Sequence, residues 1–283
     1  MSDTFVEIDG RTLKLTNLDK VLYPTGLTKG QMIDYYVRIA PRLIPQLSGR
    51  NITMVRFPNG VNDKNFFAKA IPSHAPDWIE RVQLRDNAYI VCRDLSTLVF
   101  MANLAALELH VPLHRIADNR PDPDDLVFDL DPGPETGIKE CSTVALFLRE
   151  LLEALGMEIR GKTSGSKGLQ LYARPPAPMP YGGPNGTTAF AKRVAEGLEA
   201  QYPALIVAKQ AKELRPGKVL IDWSQNVSAK TTVSVYSLRA RQEPTVSTPV
   251  TWAEIEAAAE GAPLKFTFDQ TLERTVEWPD PPA

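Results

Sequence analysis

Apolar residues recur in this chain with two periods, and the changes of period mark out its elements. Val6-Glu-Ile and Thr12-Leu-Lys-Leu15 alternate on either side of Asp9-Gly10, a strong two-residue turn signal, and predict a short hairpin. From Thr28, an N-cap by residue type, Met32, Ile33, Tyr36, Ile39 and Ala40 return at helical spacing. Met54-Val-Arg56-Phe-Pro58 ends a predicted strand, and Asn59-Gly60 turns the chain. A helix is predicted from Asp94 as cap to Leu109, with Leu98, Met101, Ala105 and Leu109 on its buried stripe. In the stretch 126–131 the period falls back to two: Leu126, Phe128 and Leu130 share one face, Asp129 and Asp131 project from the other, and Pro132-Gly133 stops the strand.

Val144, Phe147, Leu148, Leu151, Leu152 and Leu155 then mark an amphipathic helix that Gly156 closes. Leu169-Gln170-Leu171-Tyr172 alternates as a strand. Residues 175–186, rich in Pro and Gly, form a connection before a helix over 188–202. Val219-Leu-Ile221-Asp222-Trp223 is a strand with Asp222 facing away from its apolar neighbours, and residues 231–238 predict another strand. A capping box of Thr251 and Glu254 opens a last short helix, and the Pro-rich tail at 279–282 is predicted to fray. No internal repeat is present.

Composition narrows the classes without choosing among them. The 283 residues have an ordinary apolar fraction, enough for a sizeable core. The chain has no apolar run of membrane-spanning length, and its acidic first residues lack the basic-then-apolar layout of a signal peptide, which leads to an expectation of a cytoplasmic protein without membrane association. Cys92 and Cys141 are far apart and are read as buried thiols. The net charge of -2 argues against a wholly basic nucleic-acid binder. Its distribution is uneven, however: residues 1–70 carry ten Lys/Arg against six Asp/Glu, and 205–241 carry seven against two.

The chemistry centres on Asp129 and Asp131. Two carboxylates side by side at a strand end repel unless a hard divalent cation takes oxygens from both. Asp222, a carboxylate on an otherwise apolar strand, needs a cation or a strong donor of its own. The turn Thr163-Ser-Gly-Ser166-Lys167-Gly168 offers backbone N–H groups, two hydroxyls and an ammonium to an anion, but it lacks P-loop spacing and leads into a strand. Phe66 and Phe67, flanked by Lys64 and Lys69, suit base stacking with phosphate neutralisation, or a core. Lys29, in the first turn of its helix, opposes the helix dipole unless an anion lies nearby. His110 and His114 have a zinc-like spacing that Pro112 spoils. Three acids, a phosphate cradle and basic flanks together describe a two-metal nucleotidyl-transfer site.

The order of Asp129-Leu-Asp131-Pro-Gly, Thr163-Ser-Gly-Ser-Lys167-Gly and Ile221-Asp222-Trp resembles the three motifs of the archaeo-eukaryotic primase superfamily. The chain is most similar to the polymerase domain of bacterial non-homologous end-joining ligase D and its stand-alone relatives. Asn17-Leu-Asp-Lys20-Val-Leu-Tyr-Pro, Arg56-Phe-Pro-Asn-Gly, Phe66-Phe67-x-Lys69 and Leu107-Glu-Leu-His110-Val-Pro extend the likeness over most of the sequence. The resemblance implies an α/β (α+β) fold of mixed sheets flanked by helices, with an RRM-like catalytic core within a single primase-polymerase domain over 1–283, DNA-binding elements in 1–120 and catalytic motifs in 121–241.

It further implies that Asp129, Asp131 and Asp222 hold two Mg²⁺ or Mn²⁺ ions. Ser164, Ser166, Lys167, His110 and Arg239 would grip the triphosphate of an NTP or dNTP, Arg56, Lys69 and Gln170 would lie near the nucleotide, and Phe66 and Phe67 would pack on bases. Asn17, Lys20 and Lys29 would form a pocket for a downstream 5′-phosphate at gapped or broken DNA. A ribonucleotide preference is also implied, as are a location at the bacterial nucleoid and a separate ATP-dependent DNA ligase and end-binding protein as partners. Two departures stand out: Gln170 replaces a common histidine and Gln225 a common arginine, from which weaker triphosphate binding is expected. The competing readings are a D-x-D phosphohydrolase of the haloacid-dehalogenase type, which usually carries Thr or Val where Gly133 stands, and a non-catalytic DNA-end-binding repair module.

Overall fold

The computed structural model describes residues 4–116 and 122–280. The chain forms two compact units. The first comprises Met1–Pro112, Val233–Ser247 and Phe266–Ala283, and the second Leu113–Thr232 and Thr248–Lys265.

The second unit is built on one sheet. Its strands run in the order Ile206–Val207, Val219–Asp222, Leu126–Pro132, Leu169–Arg174, Glu158–Thr163 and Pro249–Val250. The first pair is parallel and the other neighbours are antiparallel. Side-chain alternation divides the sheet into two faces. Phe128, Leu130, Leu169, Leu171 and Ile221 make a fully buried apolar face, on which the helix Ile138–Ala154 packs through Cys141, Val144, Ala145, Leu148 and Leu152. Gly161 lies where a side chain would press on Ile255 of the helix Trp252–Ala259. The predicted capping box at Thr251 and Glu254 forms, and Gly156 ends the long helix with φ 75°.

The first unit has its own sheet, in which Ala106–Val111, Asn51–Arg56, Asn87–Val91 and Arg81–Leu84 are successive neighbours, and Phe66–Ala68 also pairs with Asn51–Arg56. The helix Lys29–Leu47 starts at Thr28 with a capping box to Gln31 and buries Met32, Ile33, Tyr36, Ile39 and Ala40, as their spacing predicts. The hairpin Thr4–Ile8 with Arg11–Leu15 turns at Asp9-Gly10, both left-handed.

Two expectations are corrected. The helix expected to reach Leu109 is only Leu95–Asn103; Ala105 has φ 57°, and Ala106–Val111 is a strand paired with Asn51–Arg56. Met101, Ala105 and Leu109 keep a helical spacing while Leu107, Leu109 and Val111 keep a two-residue one, so the apolar pattern alone does not separate the two, and strand pairing decides. Residues 231–238 do not form one strand, because Tyr236 takes φ 64° between Thr232–Val233 and Leu238–Ala240. Ahead of the tail, the Trp278 N–H donates to the Tyr236 hydroxyl (2.9 Å); Pro279, whose carbonyl accepts from Gln46 (3.3 Å), and Asp280 are exposed. Pro281 and Pro282 lie outside the described residues.

Candidate active site

In the second unit, register gathers the site. Asp129 lies directly opposite Asp222 on one neighbouring strand and opposite Gln170 on the other, and Gln170 lies opposite Lys162. Paired residues share a face, so Asp222, Asp129, Gln170 and Lys162 form one polar row across four strands, with Asp131 two residues along from Asp129 on that face. Asp222 and Gln170 are buried, Lys162 is almost completely so, and Asp131 is exposed.

Hydrogen bonds run along the row. The Lys162 ammonium donates to Gln170 Oε1, which turns the other end of that amide toward Asp129, where it hydrogen bonds the carboxylate. Lys162 also lies 5.6 Å from the centre of the Tyr172 ring. At the opposite end, Asp222 Oδ1 accepts from Gln210 Nε2 (2.8 Å), the Ser224 N–H (2.9 Å) and the Ser224 hydroxyl (2.6 Å), and Oδ2 accepts from Gln225 Nε2 (2.8 Å). Lys230 donates to the Ser224 hydroxyl. Both amides that depart from the expected pattern, Gln170 and Gln225, therefore serve carboxylates of the row.

Burial, and then the charges of Asp131 and Asp222, push the Asp129 carboxyl up to about 7, against the opposite pull of Gln170 and Lys162. Neutral Asp129 thus favours the metal-free fold. That contribution is complete below the ordinary carboxylate range and is lost as pH rises through about 7. Asp129→Asn, neutral at every pH, is expected to raise the metal-free Tm over that of the wild type at about pH 8 and to lose that advantage near pH 4. Thermal unfolding in a chelator, scanned over pH, measures this, and a gain that grows toward low pH contradicts it.

The donor set suits a hard divalent ion. It consists of carboxylate oxygens on one face, with enough mutual repulsion to displace a pKa. Among the described residues, no three His, Cys, Asp or Glu side chains are already arranged as a cation cage. Asp222 has Oδ1 taken by three donors and Oδ2 by one, which leaves the remaining lone pair of Oδ2 as its share of any ion. Asp129 and Asp131 would hold the cation first.

The Ser-Gly turn connects Glu158–Thr163 to Leu169–Arg174, beside the strand that carries the aspartates. Ser164 Oγ accepts from the N–H groups of Ser166 and Gly168, both at 3.2 Å, so part of the anticipated anion nest is spent on shaping the turn. Ser166 is partly exposed and Lys167 exposed.

The remaining predicted residues belong to the first unit and form two groups. Lys29, buried, donates to the Thr16 carbonyl (2.6 Å), Thr16 Oγ1 (3.3 Å) and Asn103 Oδ1 (2.8 Å). Burial, then Lys20 and Arg56, lower its pKa to about 8. The backbone ties Lys29 N to Lys20 O and Lys20 N to Asn17 O, and Lys20 Nζ donates to Asn59 Oδ1 (2.7 Å). Asn17, Lys20 and Lys29 are therefore neighbours, with Arg56 within electrostatic reach. Arg56 donates to the Leu104 carbonyl (2.8 Å) and lies 5.0 Å from the centre of the Phe66 ring. In the other group, His110 and Arg239 share the carboxylate of Glu108, and Phe67 meets the His110 ring edge-on at 6.2 Å. Phe66, Phe67 and Lys69 are exposed.

A sequence model of the family described as "LigD, primase-polymerase domain" matches residues 28–282. The chain belongs to that family. Among its relatives, the multifunctional non-homologous end joining protein LigD of Mycolicibacterium smegmatis is 42% identical over 274 residues, 95% of this chain and 35% of its own length. The bifunctional non-homologous end joining protein LigD of Bacillus subtilis is 33% identical over 93% of this chain and 42% of its own length. The chain thus spans 35 to 42% of the length of these curated relatives. Among solved structures, the polymerase domain of Mycobacterium tuberculosis Ligase D, in complex with DNA, superposes with a TM-score of 0.85 at 42% identity, covering 92% of this chain and 93% of that one. The mixed α/β architecture is that of the LigD primase-polymerase family, and nucleotidyl transfer is the family's chemistry.

Several residues that hydrogen bond to the predicted site residues carry little or no signal in the sequence. Ser224 carries a readable signal, a hydroxyl two residues after an aspartate at a strand end. Lys162 reads as an ordinary lysine until its strand is seen to be buried. Gln210 has no local signal, because only the folded chain brings it to Asp222. Glu108 becomes visible once Ala106–Val111 is known to be a strand, since Glu-x-His then shares a face.

Proposed function

We propose that this chain extends primer ends at gaps or breaks in DNA, using the row of Asp222, Asp129, Gln170 and Lys162 with Asp131 as its metal-binding and catalytic face. The register that brings Asp222 opposite Asp129 carries the reading, because it unites carboxylates far apart in sequence on one face, beside the Ser-Gly turn. Two bound Mg²⁺ or Mn²⁺ ions would activate the primer 3′-hydroxyl and neutralise charge on the departing pyrophosphate. Asp129 and Asp131 hold and orient, Asp222 contributes its remaining lone pair, and Gln170 and Lys162 keep the central carboxylate aimed. Ser166, Lys167, His110 and Arg239 bind the triphosphate, and Phe66 and Phe67 stack on bases. The substrates are NTPs, preferred over dNTPs, and the work takes place in the cytoplasm, on nucleoid DNA. A separate ATP-dependent ligase would seal the product, and an end-binding protein would present the break.

Asn17, Lys20 and Lys29 are the receptor for a downstream 5′-phosphate. Lys29 is a buried ammonium whose hydrogen-bond partners are all neutral oxygens, and among the described residues neither it nor Lys20 forms an ion pair. A dianionic phosphate would supply the missing charge. Extension on a gapped duplex is expected to be about tenfold more efficient with a 5′-phosphate than with a 5′-hydroxyl, and Lys29→Ala should remove the difference. Equal use of both substrates by the wild type would remove this assignment and leave the polymerase reading intact. The phosphohydrolase alternative is set aside, because the chain is a member of the LigD primase-polymerase family and the Asp129 strand lies between antiparallel neighbours.

A further inference from the structure

The sequence Glu108-Leu-His110 lies on the strand Ala106–Val111, so Glu108 and His110 project from the same face while Leu107 and Leu109 fill the core on the other. Glu108 Oε2 is 2.9 Å from His110 Nε2. Its other oxygen accepts from Arg239 Nε (3.1 Å) and from the Ala240 N–H (3.0 Å), both on the strand Leu238–Ala240. One carboxylate therefore joins two strands distant in sequence and holds both His110 and Arg239. Burial alone would raise its pKa, but the His110 hydrogen bond and the charge of Arg239 outweigh burial and bring it down to about 2. The carboxylate is ionised throughout the working range. His110 Nδ1 makes no hydrogen bond among the described residues, so once Nε2 is committed, Nδ1 is the ring atom left for a ligand. The Arg239 carbonyl, in turn, accepts from the Tyr23 hydroxyl (3.0 Å), which ties the same strand to a buried side chain.

We infer that Glu108 is the positioning residue of the triphosphate grip, fixing the imidazole of His110 and the guanidinium of Arg239 in one orientation for the incoming nucleotide. The inference rests on the proposal that those two side chains bind the triphosphate. It makes a prediction of unusual sign. A carboxylate beside a polyanion repels it, so by charge alone Glu108→Gln should tighten nucleotide binding. If orientation dominates, the same change weakens it, because an amide nitrogen opposes either the His110 or the Arg239 N–H and leaves one of them unaligned.

The test is steady-state primer extension on a gapped duplex with ATP varied, for the wild type, Glu108→Gln, His110→Ala, Arg239→Ala, the His110→Ala/Arg239→Ala double variant and the triple variant. Thermal unfolding of each establishes the fraction folded. Glu108→Gln is expected to raise the KM for ATP by about tenfold and to leave kcat within about threefold, with DNA affinity unchanged. Added to the double variant, it should no longer raise KM, since nothing is left to orient and only the relief of charge repulsion remains. Should Glu108→Gln not fold, Glu108→Asp, which keeps the charge and withdraws it by one methylene, is expected to raise KM in the same direction.

A KM that is unchanged or lowered in Glu108→Gln, while His110→Ala and Arg239→Ala raise it, overturns this inference alone. An undiminished effect of Glu108→Gln in the double-variant background does the same. A KM unmoved by either single alanine overturns the triphosphate assignment on which the inference is built.

Discussion

Asp129→Ala is expected to lower the rate of nucleotide addition by about a thousandfold or more, with the metal-free protein at least as stable as the wild type. Asp129 is the centre of the polar row. It lies opposite Asp222, two residues from Asp131 and beside Gln170, so no other carboxylate of the row has both acids as neighbours. Removing it leaves Asp131, which is exposed, and Asp222, whose oxygens already accept four hydrogen bonds. Neither can assemble an ion site alone. The expectation on stability has the opposite sign because burial and the two neighbouring acids make an ionised Asp129 unfavourable in the metal-free fold. An acid kept only for structure would show the reverse pairing, with lost stability and retained activity. Primer extension under saturating nucleotide and Mn²⁺, together with thermal unfolding in chelator, reads both quantities. Activity within tenfold of the wild type would sink the assignment of the row as the catalytic face.

Gly168→Ala is expected to damage the fold severely. A Cβ at this position would lie 1.9 Å from the Leu130 carbonyl oxygen and 3.2 Å from Pro132 Cδ. Both neighbours belong to the aspartate strand, which is paired on each side and cannot retreat without breaking its ladder. The clash is with backbone, not with the end of a flexible side chain, so the cost is expected at about 3 kcal/mol. That corresponds to a fall of several degrees in Tm for a chain of this size. The same displacement would move the Ser-Gly turn away from Asp131 and lower activity even in the folded fraction. Denaturant unfolding monitored by Trp fluorescence checks the first effect. A loss below about 0.5 kcal/mol would show that the turn can shift freely.

Much of the site was legible because its signals are local. Asp129 and Asp131 share a face through the two-residue period of any strand, and the stretch bounded by Leu126 and Pro132 is too short and too sharply stopped to be a helix. Thr28 and Thr251 announce their helices through capping boxes completed within four residues. The stretch 106–109 fits a helix for a related reason: Met101, Ala105 and Leu109 keep helical spacing, and only the pairing of Ala106–Val111 with Asn51–Arg56 settles it as a strand. His110 was consequently placed near a helix end, and its partnership with Glu108 stayed hidden. The two glutamine departures were seen in the sequence, but their partners were not. Gln225 is three residues from Asp222 yet reaches it only through the tight turn Trp223–Gln225, and Gln170 acquires Lys162 and Asp129 only by strand pairing.

By itself the sequence determined which chemical groups are present and, where a cap or a turn marks the element, where it starts and which face each group occupies, because these depend on backbone periods and caps spanning a few residues. Tertiary structure alone decided which strands are neighbours and in what register. That choice brought Asp222 and Lys162 into line with Asp129, and Arg239 onto Glu108. Register is a cooperative property of two distant segments, set by which faces bury most apolar surface together, and neither segment encodes it alone.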